Sequence, residues 1–315
     1  MVELVVTDSL GLSSLTDSVV INTFNTPPVA DAGPDQAVIV RGTTVQLDGT
    51  QSYDLDGDTI YYLWAITQSP AGSTSLLSDP TSPTPTFVAD VYGEYEFELV
   101  VNDSWAVSAP DRVIVSFTNV KPVASPGGNQ SVIEGDTVFL NGSGSSDANG
   151  DPLTYNWSFV STPGGSTATF TSTTSVTTSF VTDVPGTYVV SLVVNDGFVN
   201  SDPANVTITA TSRQDEVIRI LIESNNSINN FNPNVFMNRN MANALTNKIN
   251  ATLEMIDQGL YQDALDKLEN DILGKTDGCA ATGSPDRNDW IRDCEAQGQV
   301  YPLILQAIEL LRGLI

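Results

Sequence analysis

Short runs in which apolar and polar residues alternate cover the first two thirds of the chain. The clearest runs are Val45-x-Leu47, Ile60-x-Tyr62-x-Trp64, Phe97-x-Leu99-x-Val101 and Val113-x-Val115. Alternation with a period of two residues is typical of β-strands that bury one face, and stretches rich in turn residues separate these runs. We therefore predict an all-β structure for this part of the chain.

After Ser212 the apolar spacing changes to the 3.6-residue period of amphipathic helices. We predict one helix directly after Ser212, capped by that serine, and an Asn-rich loop over Asn225 to Asn234. Further helices are predicted over 239–258, over Tyr261 to Leu273 and near 300–313, with Gly259 ending the second helix. Because the connections are short, the helices are expected to form an antiparallel bundle.

The β part contains an internal repeat. TVQLDGTQSYDLDGDTIYYLW (44–64) aligns with TVFLNGSGSSDANGDPLTYNW (137–157), which places Trp64 and Trp157 at an offset of 93 positions. The same offset relates Phe87 to Phe180, Asp90 to Asp183, Tyr95 to Tyr188 and Asp103 to Asp196. A register that holds over a whole unit indicates tandem domains.

Each repeat has the features of an antiparallel β-sandwich. Trp64 and Trp157 fall in the middle of a strand, where a core tryptophan is expected. DVYGEY (90–95) and DVPGTY (183–188) resemble a tyrosine corner, in which a tyrosine hydroxyl bonds back to nearby backbone. We therefore assign these tryptophans and tyrosines to the core.

These residues resemble the PKD family, the immunoglobulin-like modules of many surface proteins. The matching features are the PPVADAG opening (27–33), an S-x-D-x-[DN]-G-D element, the strand tryptophan and G-x-Y-x-x-x-L-V-V-N-D. The resemblance covers about 27–211. One departure is that WAIT (64–67) and WSFV (157–160) replace the common W-x-F-G-D-G turn, and Ser/Thr/Pro-rich insertions follow. The family implies extracellular spacing, adhesion or protein–protein contact rather than catalysis.

The predicted fold class is mainly β, with tandem immunoglobulin-like β-sandwiches followed by a C-terminal α-helical bundle. The predicted domains are sandwiches at 25–118 and 119–211 and a bundle at 212–315. The bundle pattern L-x-x-K-I-x-x-x-L…G-x-Y-x-x-A-L-x-x-L (245–268) resembles small helical domains of secreted bacterial proteins.

Residues 1–24 are predicted to be the last two strands of a further module, because LVVTDS (4–9) matches LVVNDS (99–104). Such a hairpin leaves open strand edges. Either the sequence is part of a longer array, or another subunit supplies the missing strands and copies assemble head-to-tail.

Composition excludes several functions. Lys and Arg number 12 against 38 Asp and Glu, so the net charge of −26 would repel nucleic acid. Histidine is absent, which removes Ser-His-Asp and Cys-His catalysis and His-ligated zinc or haem. No segment has the pattern of a signal peptide or a membrane span, and an extracellular or cell-surface location is what the resemblance implies.

Acidic residues recur at the turn before the third strand of each repeat. Alternating carboxylates around a glycine turn suit Ca²⁺, and the ends of neighbouring strands should add one more aspartate to each turn. The candidate ligands are Asp54, Asp56, Asp58 and Asp103 in the first repeat and Asp147, Asn149, Asp151 and Asp196 in the second. The second site carries one charge fewer and should bind more weakly. The alternative is that Asp, Asn and Gly serve only the turns.

Cys279 and Cys294 enclose the loop between the last two long helices. In an exported protein we expect them to form a disulfide.

The leading functional hypothesis is a non-enzymatic, extracellular structural or adhesive protein. Its sandwiches would act as rod-like spacers, and its partners would be other protein subunits, including copies of itself. The alternative is a carbohydrate-binding accessory region of a secreted hydrolase, with Trp105 and Tyr92 as candidate contacts for polysaccharide. An enzyme is disfavoured because the carboxylates lie in repeated turns rather than in one unrepeated cluster.

Overall fold

The computed structural model describes residues 1–22 and 24–315, so residue 23 of the predicted segment 1–24 lies outside the described residues. The chain forms two compact units. The first unit contains Met1–Pro122, Asp147–Pro152 and Asp196–Val199, and the second contains Val123–Ser146, Leu153–Asn195 and Asn200–Ile315. The predicted fold class is confirmed, since two immunoglobulin-like β-sandwiches precede a group of helices.

A hairpin opens the first unit. Strands β1 (Val2–Leu4) and β2 (Asp17–Val19) pair antiparallel, with Leu4 opposite Asp17. Leu4 is 61% exposed, whereas Leu99, its counterpart in the complete repeat, is fully buried. The hairpin thus has the strand pattern of a module without the core that normally covers it.

The first sandwich consists of two sheets. One sheet has the order β3 (Gln36–Val38), β8 (Asp111–Phe117), β7 (Gly93–Asn102) and β5 (Tyr61–Gln68), and the other pairs β4 (Thr44–Gln46) with β6 (Thr86–Val88). All pairs are antiparallel except β3 with β8. Inward positions of both sheets form one core, which includes Val45, Phe87, Trp64, Phe97 and Leu99.

The second sandwich repeats this topology. Its sheets are β9 (Gln130–Ile133), β10 (Thr137–Asn141), β11 (Thr154–Ser161), β12 (Thr177–Val181), β13 (Gly186–Asn195) and β14 (Ala204–Thr211), in the orders β11-β13-β14-β9 and β10-β12. Trp157 and Phe180 lie in its core at the positions of Trp64 and Phe87. Identical topology follows from the matched period-two pattern of the repeats, because that pattern determines which face of each strand is buried.

The tyrosine corner is present in both sandwiches. Tyr95 is fully buried, and its hydroxyl accepts a hydrogen bond from the Val91 amide at 3.0 Å and lies 2.9 Å from the Val91 carbonyl. Tyr188 makes the equivalent contacts with Val184. The polar tip of each buried ring is therefore satisfied by local backbone.

The second unit also contains helices α1 (Arg213–Asn230), α2 (Arg239–Asp257), α3 (Tyr261–Lys267), α4 (Gly278–Thr282) and α5 (Cys294–Arg312). Short 3₁₀ turns lie at Pro233–Val235 and Leu273–Lys275, and a π-helical turn at Leu268–Ile272 continues α3. Ser212 caps α1 as predicted, since its hydroxyl accepts the Asp215 amide at 3.0 Å. An apolar core of α1, α2 and α5 residues holds the helices together. No helix in the described part of the chain is long and apolar enough to cross a membrane.

Two helix predictions were wrong in extent. The Asn-rich segment after Asn225 is not a loop at its start, because α1 continues to Asn230 with Ile228 buried and Asn225 bonded to Asn250. The last helix begins at Cys294 rather than near 300, because Asp293 caps it by accepting the Ala296 amide at 2.9 Å.

Cys279 and Cys294 form a disulfide, as predicted. Inside the loop they enclose, the carboxylate of the buried Asp289 accepts the Gly278 and Asp286 amides. Gln297, also buried, binds the Cys279 amide and the Ile291 carbonyl. Asp289 and Gln297 thus organise the loop through backbone contacts.

Candidate functional site

The first acidic loop runs from Asp54 to Asp58, between β4 and β5. One carboxylate oxygen of Asp54, Oδ1, accepts the amides of Asp56 at 2.8 Å and Asp58 at 3.1 Å. Gly57 has a φ of +83°, a backbone conformation that favours glycine. Asp54 therefore folds the loop around itself, as aspartates commonly do in turns.

The second acidic loop, from Asp147 to Asp151, is built in the same way. Asp147 Oδ1 accepts the amides of Asn149 at 2.9 Å and Asp151 at 3.1 Å, and Gly150 has a φ of +81°. The repeat in sequence is thus a repeat in side-chain geometry.

The predicted additional aspartates lie at the ends of β7 and β13, and both are nearly completely buried. Asp103 Oδ1 accepts the amides of Trp105 and Ala106, both at 2.7 Å. These bonds, led by the one from Ala106, lower the pKa of Asp103. Burial alone would raise the pKa of Asp196, but hydrogen bonds from Val199, Asn119 and Phe198 outweigh it and lower that pKa.

The segment that precedes each sandwich is hydrogen-bonded to these aspartates. We call it the entering segment, and it contains Asn25 and Thr26 before the first sandwich and Asn119 and Val120 before the second. Asn25 donates to Asp103 Oδ2 at 2.8 Å, and Asn119 donates to Asp196 Oδ2 at 2.9 Å. Our sequence interpretation missed both asparagines, although they occur in equivalent positions before the Pro-Val-Ala of each repeat.

The same segments also bond the acidic loops directly. The Thr26 amide donates to Asp56 Oδ2 at 2.5 Å, and the Val120 amide donates to Asn149 Oδ1 at 2.6 Å. Each acidic loop is therefore fixed to the chain that enters its sandwich.

Three oxygens near these contacts have no hydrogen-bond partner in the described part of the chain. They are Asp54 Oδ2, Asp147 Oδ2 and Asn119 Oδ1, and all three atoms are buried. A buried oxygen without a partner is unfavourable and is commonly satisfied by water or an ion. Within residues 1–22 and 24–315, however, no three Asp, Glu, Cys or His side chains converge closely enough to hold a metal by themselves.

The two loops differ in the partners of their last aspartate. Asp151, with a side chain only 1% exposed, lies 3.2 Å from the Arg41 guanidinium and accepts a hydrogen bond from the Tyr92 hydroxyl. Burial, followed by the bond to Asp151, raises the pKa of Tyr92. Asp58, the counterpart of Asp151, is exposed and has no side-chain partner among the described residues.

Three more contacts surround the second acidic loop. Asn149 donates to the Thr118 carbonyl at 2.8 Å and to the Ile39 carbonyl. Phe198 packs edge-on against Tyr92, with ring centroids 4.9 Å apart. Glu134 and Pro185 occupy the positions of Arg41 and Tyr92 in the second repeat. The internal repeat therefore could not identify Arg41 and Tyr92 as site residues.

Comparison with known proteins decides the family. A family model described as "K319L-like, PKD domain" matches residues 32–116 and 126–210, more than half of the chain. The chain belongs to the K319L-like PKD domain family. The mouse dyslexia-associated protein KIAA0319-like protein is 30% identical over 232 residues, which cover 71% of this chain and 22% of that protein. Human dyslexia-associated protein KIAA0319 is 31% identical over 166 residues, covering 51% and 15%.

The chain thus spans less than a quarter of the length of these relatives. Among solved structures, the PKD domain from KIAA 1837 protein is 31% identical and covers 31% of this chain and 92% of that chain, with a TM-score of 0.26.

The matched K319L-like PKD segments begin at Ala32 and Pro126. Asn25 and Asn119, which bind the buried aspartates, therefore precede the matched segments, as do Thr26 and Val120, which bind the acidic loops. In this chain the entering segment and the PKD domain form one hydrogen-bonded site.

Next to the first acidic loop of these PKD domains lies an open pocket of about 580 Å³, lined by Phe24, Asn25, Asp56, Asp58 and Trp105. We call it the Trp105 pocket. Trp105 is 82% exposed, and it occupies the position that Phe198 has in the second repeat. The pocket combines aromatic rings with two carboxylates, an arrangement that suits a cationic group.

Proposed function

We propose that this chain is a non-enzymatic, extracellular structural or adhesive segment, in which PKD modules act as spacers and engage other protein subunits. The observation that carries the proposal is the repeated hydrogen bond between the segment that precedes each sandwich and the buried aspartate at a strand end, Asn25 with Asp103 and Asn119 with Asp196. The same amide and carboxylate pair is used before both sandwiches. A spacer function needs such a tie, because it reduces the freedom of the chain where each module begins.

Open strand edges give further support. The four-stranded sheet of the first sandwich ends at β3 and β5, and strands at sheet edges favour pairing with further strands. We therefore include copies of the chain, associating head-to-tail, among the proposed partners.

We further propose that Ca²⁺ is bound at the acidic loops. The support is chemical: Asp54 Oδ2 and Asp147 Oδ2 are buried oxygens without partners in the part of the chain that the structure describes, and Ca²⁺ is coordinated by oxygen ligands. Since no three carboxylates converge among the described residues, amide and backbone oxygens would have to complete the coordination. Asn119 Oδ1 is one such oxygen in the second repeat.

The alternative function, carbohydrate binding, relied on Trp105 and Tyr92. Trp105 is exposed, but Tyr92 packs on Phe117 and Phe198 and bonds to Asp151. Its ring is therefore engaged by protein rather than presented beside Trp105. For this reason we rank the alternative second.

Beads coated with the purified chain provide the test. We expect the beads to aggregate in the presence of millimolar Ca²⁺, and soluble chain in excess should inhibit the aggregation. A parallel pull-down on insoluble cellulose, chitin and xylan tests the alternative. Dispersed beads together with retention on a polysaccharide would favour carbohydrate binding, and dispersed beads without retention would contradict self-association.

A further inference from the structure

The Trp105 pocket is the counterpart of a surface that is filled in the second repeat. Asp58 corresponds to Asp151, and Trp105 corresponds to Phe198. Asp151 forms an ion pair with Arg41 and accepts a hydrogen bond from the Tyr92 hydroxyl. Phe198 packs against the Tyr92 ring. In the first repeat the same two positions lie open beside a pocket.

The two positions keep the chemistry that their counterparts use. Asp58 retains the carboxylate, and Trp105 replaces Phe198 by a ring that attracts cations more strongly. Asp56 adds a second carboxylate where the other repeat has the neutral Asn149. The pocket is therefore more acidic and more aromatic than the surface that already binds an arginine and a tyrosine.

The entering segments strengthen the correspondence. Thr26 binds Asp56 as Val120 binds Asn149, and Asn25 binds Asp103 as Asn119 binds Asp196. The backbone that supports the two surfaces is thus the same, and the difference lies in what covers them.

We propose that the Trp105 pocket is a docking site for the end of another PKD-type module that presents an arginine and a tyrosine, as Arg41 and Tyr92 do here. The guanidinium would pair with Asp58 and lie near the Trp105 ring, and the tyrosine would pack edge-on against that ring. This inference rests on the proposed protein-binding function and names the chemistry of the partner.

Charge complementarity supports this occupant. The chain has a net charge of −26, and the Asp58 carboxylate has no side-chain partner among the described residues. Such a carboxylate beside an exposed indole is better covered by a cation than by a neutral or acidic surface. Arginine fits better than lysine, because its planar guanidinium can bind a carboxylate and stack on an aromatic ring together.

The test uses the full chain labelled with 5-fluorotryptophan and observed by ¹⁹F NMR. Four tryptophans give four signals, and Trp105→Phe identifies the one from Trp105. The probe is N-acetyl-arginine methylamide, and N-acetyl-citrulline methylamide is its neutral control. We expect a saturable shift of the Trp105 signal with the arginine probe at millimolar concentrations and a much smaller shift with citrulline.

Two matched variants make the result specific. Asp58→Asn should weaken arginine binding about five- to tenfold, because it removes the paired charge. Asp263→Asn removes one charge from an exposed helix position and should leave binding unchanged. The titrations are run with Ca²⁺ and after chelation, since Asp56 and Asp58 also belong to the proposed cation loop.

Several outcomes would overturn the proposal. They are the absence of a saturable shift in both buffers, an equal response to citrulline, an unchanged affinity in Asp58→Asn, or a Trp105 shift with cellobiose in place of the arginine probe. Bead aggregation does not depend on the free arginine probe. A negative titration would therefore contradict the docking proposal but not the proposed self-association, which the bead assay tests separately.

Discussion

The hydroxyl of Tyr95 lies 2.8 Å from a carboxylate oxygen of Asp90. Tyr188 and Asp183 have the same relationship at 3.0 Å. Each aspartate also accepts hydrogen bonds from the insertion that follows the strand tryptophan, Ser73 and Thr74 in one case and Ser166 and Thr167 in the other. The tyrosine corner therefore also anchors the long insertion of each module.

Removing the corner hydroxyl should destabilise the module that carries it. Tyr95→Phe or Tyr188→Phe leaves the ring in the core but deprives a backbone amide and a carboxylate of their partner. We expect a loss of about 1–2 kcal/mol in the free energy of unfolding, measured by urea denaturation. Tyr61→Phe, at an exposed position of β5, is the control. An equal effect in all three variants would contradict the corner's role.

From the pKa values of Asp90 and Asp183 we predict a contribution to stability that is lost in acid. At Asp90, burial is the largest influence and raises the pKa, but hydrogen bonds led by the one from Ser73 together outweigh it. At Asp183 the hydrogen bond from Ser166 is the largest influence, and both pKa values lie well below the usual range. A carboxyl with a lowered folded-state pKa stabilises the fold above its unfolded pKa of about 3.9 and loses that contribution as the pH falls towards the folded value. Asp90→Asn with Asp183→Asn should therefore lower the melting temperature at neutral pH.

Below pH 4 the same double variant should approach the parent chain, and differential scanning calorimetry over a pH series measures the difference. Asp263→Asn is again the control. A difference between parent and double variant that stays constant down to pH 2 would disprove the linkage.

The β-sandwich cores could be predicted from sequence because their signals are local and repeated. Trp64 with Trp157 and Tyr95 with Tyr188 recur at one offset, and period-two alternation determines the buried face. The helical extent was harder to predict. Asn225 pairs with Asn250 on another helix, so the segment is helical for a reason outside its own sequence.

The candidate site was predicted only in part. Its aspartates repeat and could be found, whereas Arg41 and Tyr92 occur once and reach an aspartate 110 and 59 positions away, respectively. The sequence pattern also could not distinguish the two oxygens of Asp54. Oδ1 accepts the hydrogen bonds of the turn, whereas Oδ2 has no partner among residues 1–22 and 24–315. That distinction requires the folded chain.

Reducing the disulfide should destabilise the helices selectively. Cys279 and Cys294 are 15 positions apart, and closing such a loop contributes about 3 kcal/mol in the chain-entropy view. Cys279→Ser with Cys294→Ser should lower the midpoint of the helical signal at 222 nm. The tryptophan fluorescence of the sandwiches should change little when it is measured in a Trp290→Phe background, because Trp290 lies inside the disulfide loop and packs on the helical core. Reductant should reproduce the effect in the parent chain and have none in the variant. A variant as stable as the parent would show that the loop is held by Asp289 and Gln297 alone.

Calcium should raise the melting temperature of the sandwiches after prior chelation. Asp54→Asn tests whether the buried Oδ2 of Asp54 is a calcium ligand. Asparagine keeps the Oδ1 acceptor for the Asp56 and Asp58 amides but replaces Oδ2 by an NH₂ group. We expect a rise of several degrees at millimolar Ca²⁺ in the parent chain, as mass action requires for a ligand that binds the folded state. The rise should be reduced in Asp54→Asn.

The matched variant Asp147→Asn should reduce the rise less, because Asn149 and Asp151 of that loop are already engaged by Thr118 and Arg41, contacts without counterparts at Asp56 and Asp58 among the described residues. An unchanged melting temperature in the parent chain would remove calcium from the proposal. A rise of the same size in both variants and in the parent would place the ion away from these loops.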